Sequence, residues 1–363
     1  MDTQSSSAAL SLAPPSTTGS DIVLRTVGLT KDYGRLRAVS DLALEVRRGD
    51  VFGLLGPNGS GKTTTLRMIL GLIFPSAGEI ELLGGHISDT AHRRAALRHV
   101  GAIVEQPAFY PYLTARENLR GVATFAGMAR GAETSKRIDD ALAQVGLTPR
   151  ANDAYKKYSL GMKQRLGIAA ALLSNPEFIV LDEPTNGLDP AGLVEVRDLI
   201  GRLARGGTTV LLSSHLLYEV QQVCTRVAIL KSGVLLAQGE VSTLLSATTA
   251  VLLGFKTPEQ LPQAAGILAQ ASGNDASWLK GVQYVMPEPG AWTPPGGWLL
   301  QANAPIEYAA EINALLGAQG IYAAEVRGYE GNLEQYFLAL TGSSAPAQAP
   351  LPAASAPAQG GPA

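Results

Sequence analysis

Residues 51–72 read VFGLLGPNGSGKTTTLRMILGL. Five β-prone apolar residues run into a glycine-rich turn, and the apolar spacing then changes to that of a helix. Residues 56–63 fit G-x-x-x-x-G-K-[ST], and a strand before with a helix after is the setting that gives this pattern its meaning. Gly56, Gly59 and Gly61 let the backbone wrap around Pro57, Asn58 and Ser60 with its N–H groups turned inward. The helix start adds the positive end of a dipole. Lys62 is placed to reach β- and γ-phosphates, the Thr63 hydroxyl to ligate Mg2+, and Thr64 to close the phosphate-contacting run. A glycine turn without an anionic ligand would leave Lys62 at a helix N-terminus unexplained, because a cation there opposes the dipole.

Further along, FIVLDEP (178–184) sets four apolar strand residues before two adjacent carboxylates. Asp182, at the strand end, is placed to hold Mg2+ through water, and Glu183 to polarise an attacking water. With the phosphate loop, this predicts an enzyme that hydrolyses a nucleoside triphosphate with Mg2+.

Around these motifs, residues 22–245 alternate short apolar runs with helical patterns, the mark of an α/β domain. VFGLL (51–55), VGAIV (100–104), FIVL (178–181) and TTVLL (208–212) are nearly all apolar, as in a parallel sheet covered on both faces. LALEV (42–46) alternates instead, and VAILKSGVLLAQG (227–239) reads as a hairpin about Ser232-Gly233, so an antiparallel flank is expected. Residues 107–165 read as an inserted helical lobe. From 249 to 341 the order strand, helix, strand, strand, helix, strand, with a last helix, suggests a small ferredoxin-like α+β accessory domain without a catalytic constellation. Residues 1–21 and 342–363, rich in Ser, Ala and Pro, read as disordered tails.

Composition excludes several classes. Of 363 residues, 46% are hydrophobic and 17% charged, which suits a soluble globular chain. The 29 basic residues against 31 acidic ones leave a net charge of −2, which argues against a nucleic-acid binder. One cysteine, Cys224, excludes a disulfide framework and a cysteine-based zinc site. No run approaches the ~20 apolar residues of a membrane span, and the N-terminus lacks the pattern of a secretion signal, so the chain reads as cytoplasmic.

An ordered set of motifs carries a family resemblance. Tyr33 in KDYG, GPNGSGKT, Gln106 in VEQP, YSLGMKQR (158–165), FIVLDEP, NGLDP (186–190) and His215 in LLSSH follow one another at domain-scale spacing. Over 22–245 the chain resembles the ATP-binding subunit of an ABC transporter. The resemblance implies a P-loop NTPase core of the ABC ATPase type, with a mixed sheet and a helical lobe. It implies that Tyr33 stacks on adenine, that Gln106 touches Mg2+ and the water, and that His215 sits at the γ-phosphate. It places Ser159 and Gly161 against the γ-phosphate of a second subunit and Asp189 at the subunit contact.

YSLGM departs from the family's LSGGQ: Leu160 replaces a glycine and Met162 the glutamine, while Ser159 and Gly161 are retained. Similar wording marks the branch of bacitracin, lantibiotic and multidrug exporters. The resemblance thus implies an ATPase that powers export of an antibiotic, peptide or other drug-like cargo. Its partners would be a separate transmembrane permease, docked through the helical lobe and the Gln106 loop, and a second ATPase subunit, identical or not. The subunit would lie on the inner face of the cell membrane. The rival reading is a soluble ABC-type ATPase acting on ribosomes or DNA; one cassette, no heptad run and a slightly acidic total count against it.

Overall fold

The computed structural model describes residues 21–105, 108–246, 249–273, 276–285, 294, 296–329 and 331–341. The two expected tails, apart from Asp21, lie outside these residues, and so does Gln106.

The chain opens with the antiparallel pair β1 (Ile22–Tyr33) and β2 (Leu36–Arg47). β3 (Val51–Leu55) leads into α1 (Lys62–Ile69), as the 51–72 pattern requires. β4 (Ala77–Leu82) and the short β5 (Gly85–His86) join the first pair in an antiparallel sheet of order β2-β1-β4-β5. After α2 (Thr90–Leu97) and β6 (Val100–Ile103), the helical lobe runs through α3 (Ala115–Phe125) and α4 (Ala132–Gln144), and α5 (Leu160–Leu172) returns to the sheet. β7 (Phe178–Leu181), α6 (Pro190–Arg205), β8 (Thr209–Ser214), α7 (Leu217–Val223), β9 (Arg226–Lys231), β10 (Val234–Glu240) and α8 (Val241–Ser246) follow.

The second sheet has the order β10-β9-β3-β8-β7-β6 and is parallel except at the β9–β10 hairpin. The expected antiparallel flank therefore divides: most of it forms a sheet of its own, and only β10 extends the parallel one. Alternation along β3 explains its apolar sequence. Phe52 and Leu54 enter the core shared with the antiparallel sheet and α1, while Val51 and Leu55 enter the core shared with the helices of the other face. Gly53 lets α7 approach, since a Cβ there would lie 2.8 Å from Val220 Cγ1 and 3.0 Å from Cys224 Sγ. Burial pushes the Cys224 thiol far above its ordinary range.

The remaining elements are β11 (Ala250–Phe255), α9 (Gln260–Gly273), β12 (Val282–Val285), β13 (Trp298–Ala302), α10 (Ala309–Gly317), β14 (Glu325–Tyr329) and α11 (Leu333–Thr341). The strands form an antiparallel sheet of order β12-β13-β11-β14, the arrangement of a ferredoxin-like unit, with its own core beneath α9 and α10. β14 begins at Glu325, later than the run IYAAEV suggests, because Ile321 is spent as a core plug ahead of the strand. α11 follows this sheet in the chain but buries its apolar face elsewhere. Leu333, Tyr336 and Phe337, at helical spacing, pack into the core of the first unit, and the Leu333 N–H donates to Gln221 Oε1 at 3.1 Å. The last helix thus ties the four-stranded unit to α7.

Candidate functional site

β3, β8 and β7 are neighbours in the parallel sheet, and their carboxyl ends deliver the phosphate loop, His215, and the Asp182–Glu183 pair to one crevice. That end of an open α/β sheet is where ligands bind. A groove of about 550 Å3 there is lined by Tyr33, Arg37, Asn58, residues 59–64 and Glu183.

The cradle is built by glycines that the chain cannot replace. Gly56 has φ 152°, and a Cβ there would come 2.2 Å from the Leu230 carbonyl oxygen. Gly61 has φ 100°, with Ala38 O 2.6 Å from the same point. Lys62 is only 5% exposed, so its charge needs partners. Its Nζ donates to Gly56 O at 2.8 Å and to Pro57 O at 3.3 Å, and pairs with Glu183 Oε1 at 3.2 Å. The other Glu183 oxygen lies 2.8 Å from His215 Nδ1. An ionised carboxylate only accepts, so Nδ1 carries the proton in this contact and Nε2 stays available.

Glu183 owes its position to the strand end. Its φ is 47°, uncommon for a side-chain-bearing residue, and its N–H donates to Ser213 Oγ at 2.9 Å. The Ser213 hydroxyl in turn donates to Asp182 Oδ1 at 2.5 Å, while the Asp182 N–H donates to Ile103 O at 2.8 Å. Ser213 therefore anchors the Asp182 carboxylate and the Glu183 backbone, a role that sequence reading missed, because its partners lie at the end of the neighbouring strand.

Tyr33 is 46% exposed in the groove, with the Lys31 ammonium 5.1 Å from its ring centre. Beside it Arg37 grips Asp32 through two contacts of 2.8 and 3.2 Å, and this hydrogen bonding holds the Asp32 carboxyl below the usual carboxylate range. Gln106 lies outside the described residues, but its neighbour Glu105 is pinned to Arg67 on α1. The loop behind it is wrapped around Asn118, whose buried amide accepts from the Tyr110 N–H and donates to the carbonyls of Tyr110, Leu113 and Thr114.

Ser159 and Gly161 line neither this groove nor a second cavity of about 180 Å3 bounded by Glu105, Leu160, Lys163, Asp182 and Glu183. Ser159 caps α5, accepting from the Met162 N–H at 3.3 Å. The rear half of α5 is buried, and β6 approaches it so closely that a Cβ on Gly101 would meet Ala171 O at 2.3 Å. The tip of α5 is thus a rigid, outward-facing helix start. Leu160, the departure from the family wording, rests a methyl beside Gly187, 3.3 Å from where a Cβ would sit. Asp189 caps α6 by accepting from the Gly192 N–H at 3.1 Å, with Pro190 in the first turn.

Comparison with known proteins bears on this geometry. Residues 39–186 match the family described as ABC transporter. The "Uncharacterized ABC transporter ATP-binding protein YdbJ" of Bacillus subtilis (strain 168) is 38% identical over 320 residues, covering 88% of this chain and 95% of the relative. The "Bacitracin transport ATP-binding protein BcrA" of Bacillus licheniformis is 47% identical over 217 residues, 60% of this chain and 69% of the relative. Among solved structures, a dimeric, post-hydrolysis ATP-binding cassette, MJ0796, bound to ADP and Pi, superimposes with a TM-score of 0.54 at 28% identity, over 60% of this chain and 98% of that one. With the glycine cradle, the paired carboxylates and the histidine at one sheet edge, the chain belongs to the ATP-binding proteins of ABC transporters and is an ATPase that powers a membrane transporter.

Proposed function

We propose that ATP binds with its phosphates in the residue 56–64 cradle and its base against Tyr33, and that Glu183 is the general base of hydrolysis. The observation that carries this reading is the Lys62–Glu183–His215 chain at the mouth of the loop, buried at Lys62 and half-buried at the other two. Phosphate oxygens entering the cradle give Lys62 a stronger partner than Glu183. The carboxylate released in this way is free to polarise water, and His215 to hold the γ-phosphate through Nε2. Water attacks phosphorus, its proton passes to Glu183, and the bond to the ADP oxygen breaks to give ADP and phosphate.

The Thr63 hydroxyl, the Asp182 carboxylate and the Gln106 amide are hard oxygen donors that suit Mg2+. When bound, the ion would neutralise charge on the β- and γ-phosphates. The hydrogen bond of 2.5 Å from Ser213 fixes the Asp182 carboxylate, which supports such a role.

The α5 tip would meet the γ-phosphate in the cradle of a second ATPase subunit, with Asp189 at the contact. Gln106 and the loop that Asn118 organises, with Tyr110 64% and Tyr112 78% exposed, would face the permease on the inner side of the membrane. Relatives named for bacitracin transport and linearmycin resistance support an exported, antibiotic-type cargo. The unit at 249–329 we take as accessory, joined to the ATPase through α11. Glu183→Gln tests the core of this reading. Turnover should fall by about 10²–10⁴ while ATP binding persists and an ATP-loaded dimer accumulates. Hydrolysis at the wild-type rate in that variant would refute it.

A further inference from the structure

The β9–β10 turn stands out by where it is wedged. Ser232 and Gly233 have φ of 50° and 81°, both left-handed, as in the tight turn favoured between twisted antiparallel strands. The Gly233 N–H donates to the Ser60 carbonyl of the phosphate loop at 3.1 Å, and the Gly233 carbonyl accepts from the Ser40 N–H of β2 at 2.8 Å. Three backbones meet there with no room for a side chain. A Cβ on Gly233 would lie 2.7 Å from Ala38 O, and one on Gly61 would lie 2.6 Å from the same oxygen and 3.5 Å from Gly233 Cα. Just before the turn, at the end of β9, Leu230 O closes on Gly56. Ser232 lines the same groove as Tyr33, Arg37 and the phosphate loop.

We infer that this turn is a working part of the ATP site: Gly233 positions the phosphate loop through Ser60, and Ser232 presents its side chain to the bound nucleotide. The physical basis is peptide planarity. In a trans peptide the C=O and the following N–H point to opposite sides, so drawing the Ser60 carbonyl outward onto Gly233 turns the Gly61 N–H toward the interior of the cradle. An untethered loop would have to order that amide each time a phosphate arrived, at the expense of affinity. Gly233 is thus a positioning residue and Ser232 a nucleotide-facing one. No pattern in the sequence ties either to the phosphate loop, 170 or so residues away by the numbering.

This inference rests on the ATP site proposed above, and its test separates the two. ATP affinity is measured by titration calorimetry on the full chain and on Ser232→Asp, Ser232→Asn, Gly233→Ala and Lys62→Ala. Asp-Gly and Asn-Gly both suit this turn, so neither Ser232 variant should change the melting temperature. The two are nearly the same shape, but only Asp carries a negative charge, and the salt dependence isolates that charge from the Asn amide's N–H donors. Ser232→Asp should bind ATP about fivefold or more weakly than Ser232→Asn at low salt, with the gap closing at high salt. Gly233→Ala should raise KM for ATP about tenfold while kcat at saturation stays within about threefold, the split expected when ground-state and transition-state binding fall together. Equal affinities for the Asp and Asn variants would overturn the role of Ser232. Loss of kcat in Gly233→Ala with KM unchanged would overturn that of Gly233. Should Gly233→Ala fail to fold, the Ser232 pair alone decides whether the turn faces nucleotide. Wild-type ATP affinity in Lys62→Ala would instead strike the ATP-site reading itself.

Discussion

The phosphate cradle and the tip of α5 each offer glycine beside the N–H groups of a helix start, but the chain accounts for only one set of glycines. At Gly56 and Gly61 the backbone is left-handed and a Cβ would strike Leu230 O or Ala38 O of the same molecule. At Gly161 nothing lies closer than Gly192 Cα at 3.8 Å, which is ordinary contact. Lys62 in the cradle is also paired internally, held by two carbonyls and a carboxylate, whereas Leu160 beside Ser159 is 42% exposed. The difference shows which requirements come from folding and which would come from outside. A cradle is complete within one chain; a helix tip held rigid from behind and bare in front suits a partner's ligand.

Variants at the two places should therefore fail in different ways. The largest effect is expected at the cradle: Lys62→Ala should weaken ATP binding by about two orders of magnitude or more, since the charge-assisted contacts to phosphate have no substitute, as calorimetry would show. Next comes the glycine pair. Gly61→Ala should destabilise the fold by about 2–4 kcal/mol in chemical denaturation, from left-handed strain plus a backbone clash. Gly161→Ala should shift stability by no more than about 1 kcal/mol, since alanine favours helix, yet turnover should drop about tenfold. Comparable destabilisation at both positions would erase the contrast. The smallest effect is at the cap: Ser159→Ala should cost about 1 kcal/mol of stability from the lost α5 cap, with Ser159→Asp restoring stability but not turnover. If Ser159→Asp restores both, the residue serves the helix alone.

How much of this was legible in the sequence depends on how local the cause is. The strand, turn and helix of 51–72 and the β9–β10 hairpin rest on neighbours within a few residues, and they stand where the sequence places them. The parallel core was legible because strands covered on both faces are built mainly of apolar residues, as β3 and β7 are throughout and β8 is over 210–212. Ser213 was not, because its partner Asp182 lies 31 residues away and the two meet only once β7 and β8 pair. The Arg67–Glu105 tether and the bond from Gly233 to Ser60 escaped for the same reason. The place of α11 is the furthest case: its apolar spacing predicts a helix, but nothing in it says that the face belongs to α7 and α8 and not to the sheet just before it. Leu160 read as a departure from the family pattern; its contact beside Gly187 gives it a local packing role.

Mixing two defective variants tests directly whether each ATP is held by two different chains. Lys62→Ala lacks a working cradle and Ser159→Arg lacks a working α5 tip, so each alone should hydrolyse ATP at background. Mixed in equal amounts, half the dimers are hybrids with one intact site, and turnover should recover to roughly a quarter of wild type. Background turnover in the mixture, with hybrid dimers shown to be present, would mean that cradle and tip serve the same chain and would contradict the shared site.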